Sequence, residues 1–311
     1  MQDGVQTYSC KDCGKRFRSP RREKTSLILK IAADFVFHKQ TFRELREIYG
    51  IDWRIIRDLF QSYQPLLKEH RPRAIHLVVD ATYFGERKEK TSWCIVAFRD
   101  SDEKENLWWT YTDQETESLY REGREYLEKL GYIILSVTGD GLGLIRIAFS
   151  GIPFQMCHVH MERIIIRGTT RNPILEAGQV ILALTRTLKY TDQGTFTRRF
   201  DLYIEKYRDF LNQKSINPET GKTDFTHREL RRVALSLKVF LPFLFTYEKD
   251  KRIPKTTNTL EGHFSHIKDV VGIHRGLSRP LKEKVLTIIM LASTIAPKEK
   301  KGEKKRSKKP R

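Results

Sequence analysis

The sequence Ile-His-Leu-Val-Val-Asp-Ala-Thr-Tyr-Phe occupies Ile75–Phe84 and carries a single carboxylate, Asp80. Its apolar run is short, rich in β-branched residues and preceded by Pro72, a pattern typical of a buried strand. A charge at the inner end of such a strand is costly to desolvate unless a cation or hydrogen bonds hold it. Asp80 is therefore either a structural acid or a metal ligand, and this stretch alone favours neither.

A second strand-like run ends in an acid at Tyr132–Gly143, which reads Tyr-Ile-Ile-Leu-Ser-Val-Thr-Gly-Asp-Gly-Leu-Gly. Glycines on both sides of Asp140 allow a sharp turn and leave the carboxylate uncovered. Two carboxylates at the ends of buried strands indicate a shared site. Like charges brought together there need a divalent ion to neutralise them.

The charge of the chain indicates its partners. The 311 residues carry a formal net charge of +19, which favours polyanions and above all nucleic acid. The C-terminal stretch Lys298–Arg311 holds nine Lys or Arg against two Glu, and so supplies +7 of that total. We expect this stretch to be disordered and to contact phosphates non-specifically. The remaining positive charge belongs to the body of the protein.

The sequence also predicts a compartment. No apolar run approaches the roughly 18 residues that a membrane span needs, and the N-terminus lacks a signal-peptide pattern. Four cysteines in 311 residues do not make a disulfide scaffold, which favours a reducing compartment. We therefore expect a cytoplasmic protein with no membrane partner.

The segment Tyr8–Phe17 places Cys10 and Cys13 in a Cys-x-x-Cys-Gly turn of the kind found in zinc knuckles. A structural zinc ion needs four ligands, and no second cysteine pair lies nearby. Two alternatives stay open. In the first, this segment is half of a zinc site whose second pair of ligands is missing from this sequence. In the second, the knuckle is vestigial and binds no zinc.

The segment Thr41–Gln61 predicts two helices joined by a glycine turn. Thr41 and Glu44 have capping-box spacing, Gly50 lies where the first helix must end, and Asp52 can cap the second. The apolar residues expected to face inward are Phe42, Leu45, Ile48, Ile51, Ile55, Ile56 and Leu59.

Helix, turn and helix is the outline of a DNA-binding helix-turn-helix, with Arg54 and Arg57 exposed on the second helix. Any helical hairpin gives the same pattern. The basic charge of the chain favours the DNA-binding interpretation.

Downstream of Asp80 the chain alternates strands and helices. Strands are predicted at Ser92–Phe98, Asn106–Thr112 and Pro153–Val159, and a helix at Glu115–Leu130. This order predicts an α/β sheet covered on its faces. From Glu162 to about Lys251 the strand signals stop, and helical periodicity predicts an all-helical block.

Four motifs then occur in order: Val-Val-Asp80-Ala-Thr, Thr-Gly-Asp140-Gly, Cys157-His-Val-His160 and Thr-Thr-Asn-Thr-Leu-Glu261-Gly. The ordered set resembles the DDE transposases of the insertion-sequence group that includes the IS256 and Mutator-like families, over about Ile75 to Leu291. This chain departs from the group in one respect. Such proteins usually carry both halves of the knuckle, whereas this chain carries only Cys10 and Cys13.

The resemblance implies an RNase H-like catalytic domain, with the first Asp on the first strand and the second Asp after the fourth. The Glu belongs on a late helix beyond an all-helical insertion. Asp80, Asp140 and Glu261 are then the catalytic residues and metal ligands. The partners implied are DNA, as terminal inverted repeats and target, and at least one further copy of the chain. The implied setting is a prokaryotic cytoplasm, in association with the nucleoid.

Phosphodiester cleavage requires charge on the phosphoryl oxygens to be neutralised and a nucleophile to be made from water or a 3′-hydroxyl. Two divalent ions roughly 3.5–4 Å apart do both, and Mg²⁺ or Mn²⁺ takes oxygen ligands of this kind. We assign Asp80 as the bridging ligand, with Asp140 and Glu261 each holding one ion.

In the same group a Cys-x-x-His signature follows the second Asp, and Cys157 with His160 fits it. Cys157, His158 and His160 could instead bind Zn²⁺, because thiolate and imidazole suit that ion. Three residues within four positions cannot easily reach one ion, so we favour a structural role near the active site.

The sequence predicts six regions. They are a partial zinc knuckle (1–20), a helix-turn-helix region (21–70), the first part of an RNase H-like core (71–160), a helical insertion (161–252), the final core helix with Glu261 (253–296) and a basic tail (297–311). The function expected is DNA cleavage and strand transfer. The alternatives are an inactive or domesticated DNA-binding protein derived from a transposase, and a structure-specific nuclease.

Overall fold

The computed structural model describes residues 7–18, 22–65, 67–85, 92–216 and 221–292. Their strands are β1 (Thr7–Ser9), β2 (Arg16–Arg18), β3 (Ala74–Phe84), β4 (Trp93–Asp100), β5 (Asn106–Thr112), β6 (Ile133–Gly139), β7 (Phe154–Met156), β8 (Lys214–Ile216) and β9 (Thr223–Phe225). The basic tail at 297–311 lies outside the described residues.

The α-helices of the described residues are α1 (Arg22–Val36), α2 (Phe42–Tyr49), α3 (Trp53–Ser62), α4 (Glu117–Lys129), α5 (Gly143–Ala148), α6 (His158–Thr169), α7 (Glu176–Arg186), α8 (Gln193–Lys206), α9 (Arg208–Asn212), α10 (Arg228–Phe240), α11 (Asn258–Ile273) and α12 (Arg279–Ala292). The chain divides into two compact units. Met1–Leu67 groups with His266–Ala292, and Lys68–Ser265 forms the body of the second.

In the first unit, α1, α2, α3 and α12 pack together. The predicted capping box is confirmed, because the Thr41 side chain accepts from the Glu44 N–H and the Glu44 side chain accepts from the Thr41 N–H. Gly50 ends α2 at a φ of 63°, and Asp52 caps α3 by accepting from the Arg54 N–H. The end of α2 and the start of α3 were therefore predictable from residues close to each other in sequence.

The inward faces of these helices were predicted less well. Leu45 and Ile56 are buried as expected, but Ile48 and Ile55 are 56% and 54% exposed, and the buried Phe60 was missed. Each helix buries only a narrow stripe, so that Ile56 and Phe60, four residues apart, face inward while Ile55 does not. Hydrophobicity alone could not separate these positions.

The second unit is built on a five-stranded mixed sheet in the order β5-β4-β3-β6-β7. β3, β4 and β5 form an antiparallel meander, and β6 and β7 run parallel to β3. Asp80 therefore lies on the first strand of the sheet and Asp140 directly after the fourth. This five-stranded sheet has the strand positions that the resemblance implies for both acids.

The register of this sheet places Asp80 and Asp140 at the same level. Val78 pairs with Thr138 across the parallel β3–β6 ladder, and the two acids follow two residues later on each strand. Adjacent strands lie roughly 4.8 Å apart. Side chains alternate between faces, so Asp80 shares a face with Val78 and not with Leu77 and Val79, which belong to the hydrophobic core.

Helices of the second unit complete that core. Helix α4 packs closely on the sheet at Gly123, where a Cβ atom would lie 2.7 Å from Phe98 and 2.8 Å from Trp108. Helix α6 packs against α7 and α10. No helix of the described residues is both apolar enough and long enough to cross a membrane.

Two expectations for this unit are wrong in detail. The run Pro153–Val159 is a strand only at Phe154–Met156, and Cys157 is the N-cap residue of α6. The block between Glu162 and Lys251 is not all helical, because β8 and β9 form a short antiparallel hairpin. Residues of that hairpin are mostly exposed, so no burial pattern marked it.

Candidate active site

Asp80 is a carboxylate in a buried position. It is 8% exposed, and among the described residues only the N–H of Ala81 donates to it, at 2.9 Å. Burial is the main cause that raises the pKa of Asp80 to about 8, and the negative charges of Asp140 and Glu261 contribute to the same rise. A buried structural acid needs hydrogen bonds that satisfy its charge, and the single bond from Ala81 supplies little of that. The environment of Asp80 therefore favours the metal-ligand alternative.

Asp140 follows β6 in a tight turn. Its Oδ1 accepts from the Leu142 N–H at 3.0 Å, and Gly141 adopts a φ of +89°. A Cβ atom at Gly141 would lie 2.5 Å from the sulfur of Met156. The turn thus needs glycine both for its backbone angle and for its space.

Cys157 joins the parts of the sheet and helices that carry the other site residues. Its N–H donates to the carbonyl of Gly139 at 2.8 Å, which ties the start of α6 to the end of β6. Its sulfur accepts from the Thr257 N–H at 3.4 Å, which ties the start of α11 to the same point. His160 and Glu261 each lie about one turn into a helix whose start is held in this way.

The segment before α11 is also hydrogen-bonded to the end of β6 and the start of α6. The carbonyl of Pro254 accepts from the Thr138 hydroxyl at 2.9 Å, and the carbonyl of Lys255 accepts from the His158 N–H at 3.0 Å. Burial raises the pKa of the Cys157 thiol. The raised pKa favours the neutral thiol, and the structural role favoured from the sequence stays a prediction.

His160 lies with two of the acids. The ligand atoms of Asp80, His160 and Glu261 all fall within 4.8 Å of one another. Burial lowers the pKa of His160, which favours its neutral form, the form that binds metals. We call this trio the carboxylate–histidine group; in the described part of the chain it is the only group of three or more His, Cys, Asp or Glu whose ligand atoms are close enough together to hold a metal ion.

Arg163 neutralises Glu261. Its Nη1 and Nη2 donate to the two carboxylate oxygens at 2.9 and 2.8 Å, the bidentate geometry that favours Arg–carboxylate pairs. Its Nη1 also lies 3.4 Å from Nε2 of His160. The guanidinium therefore contacts two members of the carboxylate–histidine group.

A pocket of about 710 Å³ lies beside Asp80 and Asp140 and is lined by both acidic and basic side chains. Asp80, Asp140 and Glu115 supply its acidic side, and its basic residues are Arg146, Arg163 and Arg167. Such a pocket suits a ligand that carries phosphate beside a metal ion.

Several residues of this pocket were missed from the sequence. Glu115 accepts from the Tyr83 hydroxyl at 2.7 Å and from that of Tyr120, and nothing in its sequence neighbourhood marks it. Arg163 could have been found, because it follows His160 by three positions and so shares its helix face.

The remaining predicted site residues belong to the first unit. Cys10 and Cys13 lie in the β1–β2 hairpin, and no metal-binding group of the described residues includes them. Hydrogen bonds from the Cys13 and Asp12 backbone lower the pKa of Cys10. Arg54 is exposed, and Arg57 pairs with Asp58 at 3.0 Å.

No protein-family model matches the sequence, and no curated protein matches it. Among solved structures, the chain is similar to the HTLV-2 integrase catalytic core domain in complex with magnesium, at 15% identity and a TM-score of 0.22; the match covers 51% of this chain and 97% of that one.

A second similar structure is the simian T-cell lymphotropic virus intasome in complex with PP2A regulatory subunit B56 gamma. The identity is 13%, the TM-score 0.20, and the match covers 60% of this chain and 66% of that chain.

Proposed function

We propose that this protein is a metal-dependent DNA strand-cleaving and strand-transfer enzyme of the DDE transposase type. One observation carries the proposal. Asp80 on the first strand of the sheet and Glu261 on the penultimate helix are far apart in sequence, yet their ligand atoms lie within 4.8 Å of each other. Asp140 lines the same pocket as Asp80.

The side chains fit divalent metal ions of the Mg²⁺ or Mn²⁺ class. Asp80, Asp140 and Glu261 would hold them, because carboxylate oxygens are the ligands that such hard cations prefer. Asp80 is buried beside other acids with one donated hydrogen bond, which is the environment that a cation stabilises. When bound, the ions neutralise charge on the phosphoryl group and activate the attacking oxygen.

The protein's own basic groups would place the DNA strand. Arg146 and Arg167 line the pocket with Arg163, and guanidinium groups match phosphate oxygens in two-point contacts. The Nε atom of Arg146 is buried and, among the described residues, has no hydrogen-bond partner. We assign these arginines to the phosphodiester backbone beside the cleaved bond.

The finer parts of the proposal come from the sequence. They are membership of the insertion-sequence group named above, terminal inverted repeats as the DNA recognised, two metal ions, and assembly of two or more copies. The helix-turn-helix at α2 and α3, with Arg54 and Arg57, would recognise the element ends. A zinc ion at Cys10 and Cys13 would need further ligands.

The test is a cleavage and joining assay with duplex oligonucleotides that carry the inverted repeats flanking the gene, in Mg²⁺ and in Mn²⁺. We expect wild-type protein to cut the repeat end and join its 3′-hydroxyl to a target duplex. Asp80→Asn should lower cleavage by at least about 1,000-fold, because metal ions supply several kcal/mol of charge stabilisation. Asp201→Asn, which removes an exposed acid on α8, is the matched control.

Each of the other outcomes would contradict the proposal in a different way. Cutting without joining would indicate a structure-specific nuclease. Retained DNA binding with no cutting in either metal would indicate a non-catalytic DNA-binding protein. Cleavage at the wild-type rate by Asp80→Asn would refute the assignment of the site.

A further inference from the structure

We propose that His160 is itself a metal ligand, through Nε2, and shares an ion with Asp80 and Glu261. The inference rests on the proposed function and adds a nitrogen donor to a site otherwise made of carboxylates. The geometric basis is that one ring nitrogen of His160 and one oxygen of each acid lie within 4.8 Å of one another.

The contacts of the imidazole show which nitrogen carries the lone pair that a metal ion would bind. Nη1 of Arg163 lies 3.4 Å from Nε2, and an arginine can only donate hydrogen bonds. Nε2 therefore carries the lone pair, and Nδ1 carries the proton. On the other side of the ring, the Thr257 hydroxyl lies 3.5 Å from Nδ1 and can accept from it.

Thr257 is suited to hold this tautomer. Its side chain is fully buried, and its hydroxyl lies 3.5 Å from the Cys157 sulfur and 3.4 Å from Oε1 of Glu261. A hydroxyl has one proton to donate and two lone pairs to accept with, so it can donate to the sulfur while accepting from Nδ1–H. A ligating histidine usually has its second nitrogen held by such a partner.

A cation already sits beside this set of donors. The guanidinium of Arg163 contacts both oxygens of Glu261 and Nε2 of His160. Two of the three residues that we assign to the metal, Glu261 and His160, therefore already contact a positive charge in the structure. Arg163 must release at least part of this contact when the metal binds.

The nitrogen ligand predicts which ions the site prefers. Carboxylate oxygens suit both Mg²⁺ and Mn²⁺, but Mn²⁺ is a first-row transition ion and accepts a nitrogen ligand more readily than Mg²⁺, a hard cation that takes oxygen ligands. We therefore expect Mn²⁺ to bind more tightly than Mg²⁺, and His160→Asn to weaken Mn²⁺ binding by at least about 10-fold with a smaller effect on Mg²⁺. Titration calorimetry of the full chain with each metal measures both.

The direct test is electron spin-echo envelope modulation of Mn²⁺ bound to the tag-free protein, which detects ¹⁴N nuclei bonded to the ion. We expect ¹⁴N modulation in the wild type, its loss in His160→Asn and its retention in His266→Gln, an exposed imidazole on the same helix as Glu261. Bound Mn²⁺ without ¹⁴N modulation, or modulation that survives in His160→Asn, would overturn the proposal while leaving the proposed function intact. Wild-type protein that binds no Mn²⁺ would overturn both.

A second pair of variants tests the role of Thr257 as a positioning residue. Thr257→Val removes the hydroxyl at nearly constant shape and should weaken Mn²⁺ binding about 10- to 100-fold. Thr257→Ser keeps the hydroxyl and should restore affinity and ¹⁴N modulation. Equal Mn²⁺ affinities for the two folded variants would show that the hydroxyl does not orient His160.

Discussion

Arg163 and Glu261 form a bidentate ion pair, with Nη1–Oε1 and Nη2–Oε2 distances of 2.9 and 2.8 Å. The pair joins α6 to α11 at the point where the proposed metal ligands meet. It also places a positive charge in competition with any ion that uses Glu261. The consequences of this competition are measurable.

Arg163→Gln should tighten Mn²⁺ binding, because it removes the cation that occupies both oxygens of Glu261. We expect a gain of roughly 10-fold, the order that one lost charge–charge contact of about 1.4 kcal/mol produces. Calorimetry of the DNA-free protein measures it.

Arg167→Gln is the matched control for that prediction. Arg167 lies one helical turn further along α6 and lines the same pocket, so its replacement also removes one positive charge. Its effect on Mn²⁺ affinity should be clearly smaller. Weaker Mn²⁺ binding by Arg163→Gln would contradict the competition and indicate that Arg163 holds Glu261 in its binding position.

Asp80→Asn should stabilise the metal-free protein at high pH. The pKa of Asp80 is raised to about 8 in the folded state, whereas an unfolded Asp titrates near 3.9. Between these values the folded state binds more protons, so the stability contributed by this group falls as pH rises from about 4 to about 8. The amide lacks the charge and avoids this loss.

Unfolding in EDTA at pH 5 and pH 9 measures the effect. Asp80→Asn should be more stable than wild type by only about 1–2 kcal/mol at pH 5 and by roughly 4–6 kcal/mol at pH 9, since one pKa unit corresponds to about 1.4 kcal/mol. Mn²⁺ should raise the melting temperature of the wild type only. A variant that is less stable than wild type at pH 9 would show that Asp80 is a satisfied structural acid.

Gly141→Ala should disturb the turn that carries Asp140. The residue has a φ of +89°, and its added Cβ would lie 2.5 Å from the Met156 sulfur. We expect a destabilisation of at least about 1–2 kcal/mol from the left-handed backbone alone, and a loss of cleavage activity. Thermal unfolding and the oligonucleotide assay measure the two effects.

Gly143→Ala supplies the comparison two residues away. Gly143 is the first residue of α5, and beyond its chain neighbours and the backbone of its own helix no atom of the described residues lies within 4 Å of an added Cβ. Its replacement should leave stability and cleavage nearly unchanged. If both alanine variants behave alike, the Gly141 turn does not position Asp140.

The double variant Arg54→Ala, Arg57→Ala should weaken DNA binding by the first unit. Loss of two phosphate contacts should reduce the slope of log K against log salt by about 2, measured by fluorescence anisotropy from low to moderate salt. Arg43→Ala, on α2, is the control, because Arg43 is a 90% exposed arginine outside the predicted recognition helix. An unchanged slope in the double variant would refute the helix-turn-helix assignment.

The local features of the fold were predictable because they depend on neighbours in sequence. The capping box of Thr41 and Glu44, the left-handed end at Gly50 and the strand that carries Asp80 all follow from short-range hydrogen bonding, backbone angles or alternation. Ile48 and Ile55 were misplaced because burial depends on which face meets a partner. The β8–β9 hairpin was missed because its residues bury little.

The sequence by itself determined an acid, Asp80, on a buried strand, a second acid, Asp140, directly after another strand, the basic charge, and a late acid, Glu261, at the start of a helix. Only the tertiary structure decided that His160 and not Cys157 lies beside the carboxylates, and that Arg163 pairs with Glu261. The reason is physical. The spacing of Cys157 and His160 fixes their separation in sequence, but their surroundings include residues that are distant in sequence, such as Thr257, whose N–H donates to the Cys157 sulfur at 3.4 Å.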